Sequence, residues 1–158
     1  LPSLKKKYLK YHDYKEQTIA DIFTPEQLRT ALVKEVYNLQ SSVLLNNGDG
    51  TFSLSALPLP AQFAPVYGIH VEDIDQDGHL DAILGGNLYG VKPEVGRYDA
   101  SYGLWLKGLG DGTFVPITTK ASGLNLEGQV RDIKSIEVDG RRLLLIAKNN
   151  EPMQVYQY

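Results

Sequence analysis

The sequence predicts a mainly β protein built from antiparallel four-stranded propeller blades, about two and a quarter of them in a partial propeller, behind a short helical segment. Three observations carry this reading. From residue 41 onward, short runs rich in β-branched and aromatic residues alternate with Gly, Asp and Asn turns. Within that region, landmarks recur at a spacing of 62 residues. Residues 1–40 lack the alternation and carry helix-start signals instead.

In chain order, Ser3 to Tyr11 reads as a helix with Leu4, Tyr8 and Tyr11 on one face and Lys5, Lys6 and Lys7 turned largely to water. Thr24-Pro25-Glu26-Gln27 is a stronger start, with an N-cap threonine, proline at the first helical position and glutamine closing a capping box. Leu28, Leu32 and Val36 follow at helical spacing, which predicts a helix lying against something. The strands expected next are Ser42 to Asn46, Thr51 to Ala56, Tyr67 to Glu72, Ala82 to Gly86, Tyr102 to Lys107, Thr113 to Thr118, Gln129 to Glu137, Arg142 to Lys148 and Met153 to Tyr158.

The repeat groups these strands. Gly48-Asp49-Gly50-Thr51-Phe52 returns as Gly110-Asp111-Gly112-Thr113-Phe114, Asp77-Gly78 as Asp139-Gly140, and Asn87 as Asn149. One unit therefore holds four antiparallel strands, and residues 88–101 form a loop inserted between the second and third; without it the unit has ordinary blade length, roughly 45 to 50 residues. Residues 42–56 then make the last two strands of one blade, 66–118 a whole blade, and 128–158 the first three strands of another. Because a ring needs more blades than these, the remaining blades of a larger propeller are expected partners. Phe52 and Phe114 are expected between blades, and Asp49 and Asp111 within their own turns.

The chemistry concentrates in residues 73–81, Asp-Ile-Asp-Gln-Asp-Gly-His-Leu-Asp, between two expected strands. Calcium takes roughly six to eight oxygens, and alternate residues of a tight loop turn their carboxylates onto one point. Asp73, Asp75 and Asp77 supply such carboxylates, Gly78 allows the bend that offers the His79 carbonyl, and Asp81 closes the cage. Four carboxylates in so short a span repel one another unless a cation is present. Magnesium suits the set less well, since it keeps more water. An EF-hand would need glutamate at its twelfth position, which is Leu84, and helical flanks. One period later the matching positions are Ser135, Glu137, Asp139 and Leu143, so only the hairpin is expected to persist there and a single calcium site is anticipated.

Asp-x-Asp-x-Asp-Gly-x-x-Asp between strands, alternating with Asn-Asn-Gly-Asp-Gly-Thr-Phe, resembles the FG-GAP/VCBS repeat family, the blades of integrin-type propellers. The resemblance covers about residues 42 to 150; within that family the arrangement resembles the bacterial ASPIC/UnbV, cartilage-acidic-protein-like group, although no segment of the ASPIC module is evident. It implies extracytoplasmic placement (secreted, periplasmic or cell surface), a calcium-stiffened blade and a binding or adhesion role.

Composition agrees with that class. The chain has 158 residues and a formal net charge of −3, with nine Lys/Arg against fourteen Asp/Glu in residues 41–158, which suits cation binding and offers no nucleic-acid footprint. Without cysteine there are no disulfides and no thiolate chemistry. No apolar run approaches the roughly 18 residues of a membrane span, and no leader segment follows Leu1, as in a processed or trimmed chain. No nucleophile and base arrangement, phosphate loop or dinucleotide fingerprint appears. His70 reads as a structural histidine. The inserted loop gathers Tyr89, Lys92, Arg97 and Tyr98, with Tyr102 just beyond it, a set suited to stacking on a sugar or gripping a peptide. The expectation is a non-catalytic, calcium-stabilised scaffold for a protein or glycan ligand. The alternative is part of a secreted carbohydrate-active enzyme, with catalytic residues in the inserted loop or outside this chain.

Overall fold

The computed structural model describes residues 2–158, so the expectation attached to Leu1 lies outside it. The chain divides into two compact units, Leu1–Leu39 and Gln40–Tyr158.

In the first unit, four short helices follow one another: α1 (Pro2–Lys7), α2 (Tyr11–Tyr14), α3 (Ile19–Ile22) and α4 (Pro25–Arg29). The capping box forms as expected, with the Gln27 N–H donating to Thr24 Oγ1 at 3.3 Å and the Thr24 N–H to Gln27 Oε1 at 2.9 Å. The helix it starts is shorter than expected. It stops at Arg29, and Leu32 and Val36 lie beyond it, 81% and 71% exposed. A cap nucleates a helix, but a segment this short persists only where an apolar face is buried. Thr30 Oγ1 also donates back to the Glu26 carbonyl at 3.0 Å, satisfying the helix end locally. The anticipated helix from Ser3 to Tyr11 likewise breaks after Lys7, and Tyr11 opens α2. Lys7 is not simply solvated, since its ammonium donates to the carbonyls of Asp21 and Ile22, both at 3.0 Å, at the end of α3.

The second unit holds nine strands, each within two residues of its expected ends. β1 (Ser42–Asn46) and β2 (Phe52–Ala56) pair alone; β3 (Val66–Glu72), β4 (Asp81–Gly86), β5 (Leu104–Gly108) and β6 (Phe114–Ile117) make a four-stranded sheet; β7 (Val130–Val138), β8 (Arg141–Lys148) and β9 (Gln154–Gln157) make a three-stranded one. Every sheet is antiparallel and runs in chain order. The division into residues 42–56, 66–118 and 128–158 reproduces the sheet boundaries, and among the described residues no sheet closes on itself. A short helical turn, α5 (Thr119–Ser122), leads from β6 toward β7.

β4 lies at the centre, buried along its whole length. Strand alternation sends Ile83 to one side, into a cluster with Leu124, Leu126, Val130, Ile133, Leu144 and Ile146, and Ala82 and Leu84 to the other, against Ala61 and Leu106. Gly85 makes the first of these contacts close, because a Cβ there would lie 2.6 Å from the Val130 side chain. Phe114 packs against the second cluster, but Phe52 is 59% exposed, contrary to expectation. Its two-stranded sheet offers no further strand to bury it.

Candidate metal centre

The acidic residues sit on the connection from β3 to β4, which the Glu72–Asp81 register pair closes at its base. Two left-handed positions fold the loop inward, Gln76 at φ 60° and Gly78 at φ 92°. The Asp73 carboxylate accepts the N–H groups of Asp77 at 3.1 Å and Gly78 at 2.9 Å, and Asp77 Oδ1 accepts the N–H of His79 at 2.9 Å. Asp81 has no exposed surface; one oxygen accepts from Ile74 N at 3.2 Å and the other from Gly108 N on β5 at 2.8 Å. Glycine is required at 108, because a Cβ would collide with the Leu80 carbonyl.

The structure brings Asp73, Asp75 and Asp81 together, each with an oxygen within 4.8 Å of the others. Asp77 is not in that group. Its Oδ2 lies 2.7 Å from the ammonium of Lys107 on β5, which also bonds Asp75. The hydrogen bonds that the ammonium donates to Asp75 first and Asp77 second raise the lysine pKa, and the hydrogen bond received from Lys107, then that from the His79 N–H, lowers that of Asp77. The His79 ring lies over Gly110, at the second Gly-Asp-Gly turn.

A divalent cation fits this donor set for two reasons visible in the structure. Asp81 is a fully buried carboxylate held by neutral N–H groups, with no ion-pair partner among the described residues. A positive charge, the Lys107 ammonium, is already drawn to the neighbouring carboxylates. All the side-chain donors are hard oxygens, the chemistry of calcium. Asp73, Asp75 and Asp81 would hold the ion, which would neutralise charge that the backbone N–H groups only solvate.

Both ends of the loop are anchored. Just before it, Glu72 receives the guanidinium of Arg142 at 2.6 Å, the hydroxyl of Tyr158 at 2.7 Å and Nε2 of His70 at 2.9 Å, while Arg142 also donates to the Asp73 carbonyl at 3.1 Å and stacks on Tyr158. Partial burial alone would raise the Glu72 pKa, but hydrogen bonds from Tyr158, His70 and Ser135, with the charge of Arg142, hold it down to about 2. His70 thus has the structural partner expected of it. At the other end, Asp81 ties the loop to β5.

The next unit builds the same reversal without a loop. Ser135 and Glu137 lie within β7 and Leu143 within β8, and Asp139 and Gly140, at φ 52° and 72°, turn the chain in two residues between Val138 and Arg141. Asp49 and Asp111 accept their own turns' Thr51 and Thr113 N–H groups, both at 2.9 Å.

The residues expected on the inserted loop are divided. The Arg97 guanidinium stacks on Tyr89 at 4.6 Å, and Tyr98 pairs with Leu88 in an isolated bridge. Lys92 is exposed, while Tyr102 lines a separate cavity of about 350 Å³ with Phe63 and Pro116. Tyr89 also borders a groove shared with Gln129, Arg131 and Glu151, and Arg131 stacks on Tyr67 at 4.4 Å.

Sequence reasoning missed Lys107, Arg142, Tyr158 and Arg131. The one signal for Lys107 was its place one period after the apolar Leu45, a charge where the unit elsewhere has none. No curated protein and no solved structure matches the chain. Residues 35–84, which span β1 to β3, the entire acidic loop and the start of β4, match the model of a family described as FG-GAP-like repeat.

Proposed function

We propose that this chain is a calcium-stabilised segment of a propeller, acting as a non-catalytic binding scaffold outside the cytoplasm. The observation that carries the reading is the buried Asp81 carboxylate, with no ion-pair partner among the described residues, beside Asp73 and Asp75 at the base of a hairpin. A catalytic metal needs an open position facing substrate. Here the acidic residues are tied into their own backbone and to β5, which suits an ion that clips the hairpin. The match to an FG-GAP-like repeat supports a repeat-type scaffold, and such repeats typically occur in extracellular proteins. No described helix is long and apolar enough to cross a membrane. In this reading the sheets of two, four and three strands are blades and parts of blades, and other blades complete the ring.

Ligand recognition belongs to the stacked pairs Tyr89 with Arg97 and Tyr67 with Arg131, near the β4 to β5 connection, where a protein or glycan would meet aromatic faces and cations. Thermal unfolding in chelator and in excess calcium tests the metal reading. Calcium should raise the melting temperature, since an ion bound only by the folded state stabilises it by mass action, and Asp75→Asn should reduce the rise. Identical melts in the two buffers would refute it.

A further inference from the structure

Among the described residues, the only basic side chain paired with the carboxylates of the 73–81 loop comes from outside it. Lys107 lies on β5 between Leu106, which is fully buried, and Gly108, whose N–H holds Asp81. Its Cα is therefore fixed relative to the loop, and the register pair with Val115 fixes it further. Its ammonium bridges Asp75 and Asp77, and all three side chains are about two-thirds buried or more, at 31%, 27% and 30% exposure. Asp75 is the residue shared by two arrangements: it bonds Lys107, and it belongs to the group that converges with Asp73 and Asp81.

We propose that Lys107 is a tethered competitor for the metal of the 73–81 loop, holding Asp75 when no ion is bound and yielding it to the ion while remaining on Asp77. The inference rests on the calcium reading above and adds what sets the affinity. Binding must first break the Lys107–Asp75 bond and then tolerate a positive charge beside a divalent one, so calcium binds more weakly than the donor set alone would allow. In the absence of ion, the same ammonium relieves the repulsion among the carboxylates. The fold does not need lysine at this point: one period earlier the equivalent position is Leu45, in β1, with the same Gly-Asp-Gly-Thr-Phe segment following. Lys107→Leu therefore has a precedent inside the chain.

The test is a calcium titration by calorimetry of the wild-type chain, Lys107→Leu and Lys107→Arg, with thermal melts in chelator and in calcium. Lys107→Leu should bind calcium about tenfold more tightly or better, an estimate that discounts the pair for partial solvent screening. It should melt below wild type in chelator and above it in calcium, and this crossing is not expected of a merely structural lysine. Lys107→Arg, which keeps the charge, should stay near wild type. If leucine disturbs β5, Lys107→Gln keeps the chain length without the charge and should show the same tightening. Binding by Lys107→Leu where wild type shows none supports the proposal in its strongest form. Equal or weaker binding by the neutral variants, with wild type still binding, overturns the competition and leaves the calcium reading standing. Silence of every form well above the roughly millimolar range of weak extracellular calcium modules overturns both.

Discussion

Glu72 is a surface-edge carboxylate used as a junction. It stands at the last position of β3, and its two oxygens collect Arg142 from β8, Tyr158 at the chain's end and His70 from its own strand. Its pKa is held at about 2, below the ordinary 4.5, so the folded chain binds this proton less readily than the unfolded one. The stability it contributes is therefore complete above about pH 4.5 and is lost as the pH falls toward about 2. Acid unfolding followed by circular dichroism should show this directly. Glu72→Gln should lower stability at neutral pH and flatten the profile between those two values, and a profile parallel to wild type would contradict the assignment. The sequence pointed to the loop beside Glu72, since the spacing of Asp73, Asp75 and Asp81 is itself the message. It did not reveal Arg142, which reaches the Asp73 carbonyl from 69 positions away, and it marked Lys107, 32 positions from Asp75, only as a charge where the repeat has Leu45, because local spacing does not encode partners so distant along the chain.

Strands and helices differ in how far local pattern decides them. All nine strands were legible to within two residues because alternation, β-branched residues and Gly/Asp turns act together over each short segment. The helix begun at Thr24 was legible only at its cap; Leu28, Leu32 and Val36 had the right spacing, but spacing does not supply a surface to bury them against, and α4 ends at Arg29. β7 likewise runs on to Val138, where the preceding unit opens into a loop after Glu72. β4 is buried along its whole length, and Gly85 packs closely against Val130 of β7. Gly85→Ala should cost about 2 kcal/mol or more, since its Cβ would press on Val130 at 2.6 Å in a packed core. Denaturant melts measure this, and a companion Val130→Ala should recover part of the loss in the double variant.

At the scale of the whole molecule, stability is graded. The sheets meeting across Ile83, Val130, Ile133 and Ile146 bury most of the apolar core, whereas β1 and β2 pair only with each other and leave Leu44, Phe52 and Leu54 more than half exposed. An isolated pair of strands is marginal in water. Native-state hydrogen exchange should accordingly find the slowest amides on β4 and the centre of β8, with β1, β2 and the helices of residues 2–39 far faster. Uniform protection over all nine strands would show that something else covers the two-stranded sheet. The grouping of strands into two, four and three was readable from the repeat, while the exposure of Phe52 was not: a repeat shows which residues are equivalent, not whether each has neighbours.

The two hairpins turn the same corner by different means, one through residues 73–80 with their carboxylates and one through Asp139 and Gly140 alone. On the calcium reading proposed above, dependence on an ion would be modular, confined to one exchangeable segment and not inherent in the sheet. The chain carries within itself both versions of the part, so on that reading a lineage of such repeats could gain or shed a response to calcium by exchanging a single turn, with every strand left in register.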